Sequence, residues 1–139
     1  MKGFPFSCPI EVRYSDVDAM NHVNNAVYVT YLEHARLRLW RERFGFTGGA
    51  TEIPFIIARV VVDYRSPIAL ADEVEVGIGV SRVGRTSFTF AYRIEASGRL
   101  AAEAETVQVH FDYAAGEPSS IAEKLRADLA ALRLSVPAC

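Results

Sequence analysis

The chain has 139 residues, of which half are hydrophobic and 23% are charged. This length suits one domain that buries roughly 68% of its unfolded surface, so we predict a single domain over residues 1–139. Fifteen basic residues against seventeen acidic ones give a formal net charge of −2. That balance excludes the broad positive field with which proteins bind nucleic acid or an anionic membrane.

The first residues and the cysteines indicate a cytoplasmic protein. Residues 1–13 lack the apolar centre of a secretory peptide. The most apolar stretch, 53–62, contains Arg59 and is too short to cross a bilayer. The two cysteines, Cys8 and Cys139, lie near opposite ends. A disulfide between them is one interpretation, but we favour two free thiols in a reducing cytosol.

The first elements in chain order are a short strand and a long helix. Residues 8–15 are typical of a strand, and residues 27–44 of a helix that ends at Gly45. Apolar side chains recur in the helix at helical spacing, at Tyr28, Leu32, Ala35 and Leu39. Four arginines fall on or near the opposite side, where we expect most of them to be solvated: Arg36, Arg38, Arg41 and Arg43.

Four strands and a second helix are predicted after the long helix. The strands cover residues 53–65, 73–83, 86–96 and 100–112. Hairpin turns at 84–85 and 97–98 connect the last three, and we expect all four to form a meander. Ser120 and Glu123 have the spacing of a capping box, which predicts that the second helix begins there.

This order of elements predicts an α+β fold, with an antiparallel sheet wrapped around the long central helix. The helix is apolar enough for the sheet to curl around it instead of lying flat beneath it. Strands of this length also leave sheet edges that need covering. We therefore expect the chain to associate with itself.

A dense group of polar residues lies directly before the long helix: Asp16, Asp18, Asn21, His22, Asn24 and Asn25. One interpretation is structural, because short polar side chains favour turns and helix N-caps. Asn24 or Asn25 is placed to cap the helix, Asp18 to close an Asx-turn, and Asp16 to serve as a turn residue.

The other interpretation of this group is catalytic. A helix start presents unpaired N–H groups and the positive end of its dipole, which together stabilise an oxyanion. Asp18 can face the same carbonyl as nucleophile or general base, and the N–H near Asn25 can act as electrophile. His22 would orient water or substrate, or transfer a proton. These are the parts for acyl transfer from an activated carbonyl.

The chain resembles the hotdog-fold thioesterases, specifically the 4-hydroxybenzoyl-CoA thioesterase-like group of acyl-CoA hydrolases. The resemblance covers nearly the whole chain. Its most specific motif is RYSDVDAMNHVNN, and weaker ones follow in the same order: YLEHAR, DYRSPIALADEVEV, GRTSF and VHFDYAAGEPSSI. It implies one hotdog thioesterase domain over residues 1–139, assembled as a dimer or as a homotetramer made of dimers.

The resemblance also implies roles for the polar residues before the helix. Asp18 matches the family's essential carboxylate, and the backbone N–H that polarises the thioester carbonyl falls near Asn25. HVNN is similar to the corresponding stretch of plant acyl-ACP thioesterases, which implies a catalytic role for His22. Those enzymes carry an asparagine where this chain has Met20, and this departure favours Asp18 as the principal catalyst.

Coenzyme A carries phosphates, and a chain of net charge −2 must meet them with local cations. Arg85 matches a position at which related enzymes hold a basic residue for those phosphates. Arg82 is a neighbouring cation, and Thr86 and Ser87 are candidate hydrogen-bond donors from the same strand start. The alternative for both arginines is a solvated position at a hairpin.

The implied reaction is hydrolysis of an acyl-CoA to a free carboxylic acid and coenzyme A. Coenzyme A is then part of the substrate, and we expect no metal and no other cofactor, since no spacing of histidines and cysteines indicates a metal site. Two alternatives are a hotdog dehydratase or hydratase acting on acyl thioesters, and a non-catalytic acyl-CoA-binding module. An acyl-ACP substrate is a variant of the main hypothesis.

Overall fold

The computed structural model describes residues 1–49 and 53–135. Its helices are α1 (Val27–Arg43) and α2 (Glu123–Ala130), and a 3-10 turn covers Tyr14–Asp16. Its strands are β1 (Phe6–Ile10), β2 (Phe55–Tyr64), β3 (Val74–Val83), β4 (Ser87–Ala96), β5 (Arg99–Asp112) and the two-residue β6 (Glu117–Pro118). The predicted α+β class is confirmed. No helix within the two described ranges is long and apolar enough to span a membrane.

The strand order in the antiparallel sheet is β1-β3-β4-β5-β2, with β6 beside β5. The predicted meander is therefore correct for β3, β4 and β5 but wrong for β2, which pairs with β5 at the far edge. Both edges of β3 are already occupied by β1 and β4. The chain leaving β2 also stays beside β5, because the N–H groups of Arg65 and Ser66 donate to the carbonyl of Ala101.

Strand β1 is shorter and earlier than the predicted 8–15. It pairs with β3 from Phe6 to Ile10, and the chain then leaves the sheet for the 3-10 turn in which the polar group begins at Asp16. Cys8 lies buried in β1, and burial raises the pKa of its thiol. Cys139 lies outside the described residues, so two free thiols remain a prediction.

Helix α1 buries the apolar stripe predicted from the sequence, with Tyr28, Leu32, Ala35 and Leu39 all in the core. The opposing sheet face supplies aromatic and aliphatic side chains: Val76, Ile78, Val80, Phe88, Phe90, Tyr92 and Ile94. At roughly 2–3 kcal/mol for each large side chain removed from water, this one face provides much of the driving force for folding.

Arg36 departs from the expected solvated arginine face. Its side chain lies in the core, and the residue is only 8% exposed. The guanidinium donates to the Tyr92 hydroxyl at 3.1 Å, and that hydroxyl lies 2.6 Å from the hydroxyl of Thr106. A buried cation needs such polar partners, and periodicity alone does not reveal that the sheet supplies them.

Gly77 and Gly79 of β3 lie where two other segments of the chain approach the strand closely. A Cβ at Gly77 would meet Met1 and Phe4, and one at Gly79 would meet Leu134 and Pro5. The glycines therefore admit the two ends of the described chain on the outer side of β3, instead of the central helix.

Candidate active site

Asp18 lies in a tight turn between the 3-10 turn and α1. Val17 and Val23 pair across this turn, and the Asp18 N–H donates to the carbonyl of His22 at 3.0 Å. Asp18 Oδ1 accepts the N–H of Met20 at 2.9 Å, which is the Asx-turn that the structural interpretation predicts. This contact holds one side of the carboxylate and leaves the residue exposed to solvent.

A cleft of about 570 Å³ lies against this turn. Its wall is formed by Tyr14, Val17, Asp18, Ala19, Asn21, Ala69, Leu70 and Ala71. Apolar surface therefore surrounds one carboxylate, in a space of the size typical for small-molecule sites. The walls from Tyr14, which is 86% exposed, and from residues 69–71 were not predicted. Their exposed apolar side chains, beside a polar turn, are a signal visible only in three dimensions.

Asn24 accepts two amide hydrogens at the start of α1. The Ala26 N–H donates to Oδ1 of Asn24 at 2.9 Å, and the Val27 N–H donates to the Asn24 carbonyl at 2.9 Å. Asn24 thus supplies acceptors for these two N–H groups, although the N-cap position itself is Ala26. For the N–H of Asn25, no acceptor is found among the described residues. An unpaired amide at a helix start is a ready donor for an oxyanion.

His22 lies on the same turn as Asp18 and is exposed. Its carbonyl accepts the Asp18 N–H, while its imidazole makes no hydrogen bond within the described part of the chain. Neither His22 nor Asn25 forms part of the cleft wall that contains Asp18. The turn therefore brings the three predicted catalytic residues into one segment, with only the Asp18 carboxylate on the cleft itself.

Asp16 is a buried structural residue beneath this turn, as the structural interpretation expects. Its carboxylate accepts hydrogen bonds from the backbone and side chain of Arg13 and, at 2.8 Å, from the hydroxyl of Tyr31. Burial alone would raise the pKa of the Asp16 carboxyl, but these bonds outweigh it and hold that pKa below its usual value. Its carbonyl also accepts the Asn24 N–H, which ties the two ends of the turn together.

We expect Asp16→Asn to lower the free energy of unfolding at pH 7 by on the order of 2 kcal/mol, since charged hydrogen bonds are lost. The pKa of Asp16 is lowered by folding, so its stabilisation is present above the unfolded-state value near 3.9 and is lost as the pH falls through the folded-state value. Urea denaturation at pH 7 and pH 3 should show the difference from wild type shrinking in acid. An equal difference at both pH values would contradict this role, and exposed Asp63→Asn is the control.

The four residues predicted to bind substrate phosphates gather at the β3–β4 hairpin. The Gly84 N–H closes this hairpin on the Ser87 carbonyl, and the carbonyls of Arg85 and Thr86 accept N–H groups from Ile121 and His110. Arg82 is exposed on β3. The hairpin is thus fixed in place by β5 and by the segment before α2.

Ser120 does not cap α2 as the sequence pattern predicts. Its Oγ accepts a hydrogen bond from Arg85 at 3.0 Å, and α2 begins only at Glu123, after Ala122 as an N-cap without a side-chain bond. The predicted capping box is therefore wrong. The spacing was right for a cap, but a neighbouring guanidinium on the hairpin binds the serine hydroxyl instead.

Two further arginines converge on the same hairpin and were missed from the sequence. Arg126 donates to the carbonyl of Gly84 at 3.0 Å, and Arg133 donates to that of Ser81 at 3.4 Å. Together with Arg82 and Arg85 they form a basic cluster on a chain of negative net charge. They lie some forty to fifty residues further along the chain, so only the fold shows that they belong together.

The turn that carries Asp18 and the basic cluster lie at opposite ends of the sheet within one chain. The Val23 N–H donates to the carbonyl of Ile68, which places the turn beside the segment leading into β3. The cluster follows the other end of β3, ten residues later. At about 3.3 Å per residue the two groups are roughly 30 Å apart along the strand.

In the described residues, no three His, Cys, Asp or Glu side chains are grouped to hold a metal ion.

Known proteins share this fold and sequence pattern. A thioesterase from Thermus thermophilus, solved with coenzyme A and zinc, is 36% identical over 95% of this chain and 96% of that one, with a TM-score of 0.84. A protein from Bacillus stearothermophilus, described as a predicted thioesterase, is 26% identical over 94% of this chain and 98% of that one, with a TM-score of 0.88. The acyl-CoA thioester hydrolase YbgC of Escherichia coli O6:H1 is 29% identical over 126 residues, or 88% of this chain and 94% of YbgC.

The family profile named "Thioesterase-like superfamily" matches residues 12–129. That range includes the turn that carries Asp18, α1, the strands from β2 onward and nearly all of α2. The chain therefore belongs to the thioesterase-like superfamily and has the hotdog fold, as its sequence predicts.

Proposed function

We propose that this protein hydrolyses acyl-CoA thioesters to a free carboxylic acid and coenzyme A. The observation that carries the proposal is the Asp18 carboxylate on the wall of an apolar cleft, in the turn that leads to an unpaired amide at the start of α1. Support for this substrate class comes from the relatives, one of which is named for acyl-CoA and another of which was solved with coenzyme A.

In the proposed mechanism the thioester carbonyl lies between Asp18 and the start of α1. The Asn25 N–H and the helix dipole stabilise the negative charge that develops on the carbonyl oxygen. Asp18 either attacks the carbonyl carbon to form a mixed anhydride and release the thiolate, or removes a proton from an attacking water. Either route consumes one water and gives the same two products. His22, exposed on the same turn, would orient water or transfer a proton.

The basic cluster is suited to the phosphates of coenzyme A. Arg85 is held at the hairpin by Ser120, so its guanidinium is positioned in advance for an anion. Arg82 adds a second cation, while Thr86 and Ser87 offer hydroxyl donors from the start of β4. Because the cluster lies far from Asp18 in the same chain, we propose that each substrate binds across two copies of the protein.

The surface that would join two copies is β2. It forms one edge of the sheet, and no strand in the described ranges pairs with its outer side. Ile57 and Val60 pair with Gln108 and Thr106 of β5, which are buried, so all four side chains lie on the helix side of the sheet. Val60 is nevertheless 40% exposed, because α1 packs nearer to β1 and β3 than to β2. An unpaired edge beside half-covered aliphatic residues favours a dimer with a second β2. We also propose tetramers made of such dimers, in the cytoplasm, where Cys8 would stay reduced.

The function is tested by release of free thiol from short, long and aromatic acyl-CoAs, each followed with a thiol-reactive dye. Hydrolysis of at least one class is expected. Two other outcomes identify the alternatives: loss of enoyl-CoA without thiol release indicates a dehydratase or hydratase, and binding without turnover indicates a non-catalytic module. Either of these would overturn the proposal, and a parallel assay with acyl-ACP decides the carrier.

We expect Arg85→Ala to raise KM for acyl-CoA about fivefold with little change in kcat, because a surface cation contributes roughly 1 kcal/mol to an anion contact. KM for an acyl-pantetheine, which has the thioester but no phosphate, should not change. The matched control is Arg38→Ala, which changes a half-buried arginine of α1 that is paired with Glu42. An equal rise in KM for both substrates would show that Arg85 acts on something other than phosphate.

A further inference from the structure

Asn24 makes hydrogen bonds in several directions at the start of α1. Its N–H donates to the Asp16 carbonyl and its own carbonyl accepts the Val27 N–H, both at 2.9 Å. Its side-chain oxygen accepts the Ala26 N–H at 2.9 Å, and its side-chain nitrogen donates to Oδ2 of Asp18 at 3.4 Å. One amide side chain therefore connects the proposed catalytic carboxylate to the helix start.

These contacts fix both catalytic groups relative to each other. The two oxygens of the Asp18 carboxylate are held by different donors, Met20 N–H and Asn24 Nδ2. The peptide group that joins Asn24 to Asn25 carries the free N–H of Asn25, and its carbonyl is held by Val27. The direction of that N–H is thus set by a bond on the other side of the same rigid peptide plane.

The next peptide, between Asn25 and Ala26, is held on both sides. Asn24 Oδ1 accepts its N–H, and the Tyr64 hydroxyl donates to its carbonyl at 2.7 Å. The Tyr64 ring packs edge-on against the buried Tyr28 ring, with centroids 4.8 Å apart. Tyr64 is itself 46% exposed, so its ring contributes modestly to the core while its hydroxyl reaches the helix start.

We propose that Asn24 and Tyr64 are positioning residues that hold the Asn25 N–H in a fixed position relative to the Asp18 carboxylate, which lines the cleft. The proposal rests on the function proposed above, since it assigns a purpose to contacts around those two groups. Neither residue touches the reacting atoms. Each acts through another group, Asn24 through both Asp18 and the helix start, and Tyr64 through the peptide after Asn25.

The first test compares Tyr64→Phe with Tyr113→Phe. Tyr113 is a matched control, because it is 62% exposed and its hydroxyl donates to a backbone carbonyl of β2, that of Phe55, at the other end of the strand. We expect Tyr64→Phe to lower kcat about tenfold with KM nearly unchanged, as small displacements of catalytic groups are costly. Tyr113→Phe should match wild type. Equal kcat in wild type and Tyr64→Phe would overturn the role of Tyr64.

The second test compares Asn24→Asp with Asn24→Ala. The aspartate keeps an acceptor for the Ala26 N–H but loses the donor to Asp18 and adds a negative charge beside it. Asn24→Asp should therefore move the acid limb of the kcat profile to higher pH, because a like charge disfavours the ionised carboxylate. Other titratable groups around the turn are unchanged in the variant: Tyr14, His22, Asp16 and Asp72.

Asn24→Ala should lower kcat further than Asn24→Asp at high pH, since it also loses the bond to Ala26. If the Asn24 side chain did not lie beside the Asp18 carboxylate, Asn24→Asp would keep the wild-type pH profile, and that result would overturn the proposal for this residue.

A readout independent of activity separates this proposal from the proposed function. Amide hydrogen exchange at Ala26 should speed up several-fold in both Tyr64→Phe and Asn24→Ala, whether or not a thioester is turned over. If these variants show faster exchange but the wild-type protein hydrolyses no thioester, the proposed function is refuted, while the contacts of Asn24 and Tyr64 at the helix start are confirmed. If exchange is faster but kcat is unchanged, the positioning role is refuted and the proposed function stands. If exchange is unchanged, Asn24 and Tyr64 do not hold the helix start, and the positioning proposal is refuted.

Discussion

Asp18→Asn should lower kcat for acyl-CoA hydrolysis about a thousandfold, and we expect no substitution at another position to have a larger effect. Asparagine retains a side-chain oxygen for the Met20 N–H, so the turn should keep its shape while the nucleophile or base is lost. Asp18→Ala should lose at least as much activity and also the contact that closes the turn. Thiol release under saturating substrate measures both, with thermal unfolding to confirm that the variants fold.

Asp112 provides a matched control for Asp18. It is an exposed aspartate, and its Oδ1 closes an Asx-turn by accepting the N–H groups of Ala114 and Ala115. Asp112 is the last residue of β5. Asp112→Asn should keep wild-type kcat. Normal turnover in both Asp18 variants would exclude the carboxylate from the chemistry.

Val60→Lys should convert the protein into monomers at micromolar concentration and remove most of its activity. The substitution places a charge on the half-covered helix side of the edge strand, and burying an unpaired ammonium in an interface is expensive. We expect the dimer to weaken by roughly a hundredfold or more, as seen by light scattering with size-exclusion chromatography. Activity should fall with it, since the basic cluster and Asp18 of one chain are too far apart to hold one substrate.

Ile56→Lys is the control for that variant. Ile56 is 38% exposed, close to the 40% of Val60, but it lies on the opposite side of β2, opposite Val109. The Ile56→Lys protein should remain at least a dimer, with kcat nearly equal to that of the wild type. A monomeric Val60→Lys protein with full activity would show that one chain contains a complete site.

Local patterns in the sequence predicted the helix and, of the expected four-stranded meander, the part formed by β3, β4 and β5, because the spacing of these elements depends on neighbouring residues alone. The stripe of Tyr28, Leu32, Ala35 and Leu39 is buried as expected. The position of β2 was missed because strand order depends on contacts between residues some forty or more positions apart, such as Val60 with Thr106. The same limit explains Arg36, whose partner Tyr92 is 56 residues away.

The candidate site divides in the same way. Asp18 and Asn25 lie within one continuous motif, so the chemistry of a turn followed by a helix start was enough to select them. Tyr64, Arg126 and the cleft wall at residues 69–71 join the site only through folding. No sequence spacing links Tyr64 to Asn25, although the hydroxyl of one lies 2.7 Å from the carbonyl of the other.

The most direct measurement is a crystal structure with a coenzyme A analogue in which a methylene ketone replaces the thioester. We predict that the ketone oxygen lies about 2.7–3.1 Å from the Asn25 nitrogen, with the Asp18 carboxylate facing the carbonyl carbon or a water beside it. The nucleotide phosphates should contact Arg82 or Arg85 of a second copy. A ketone bound away from both Asp18 and the start of α1 would contradict the proposed site.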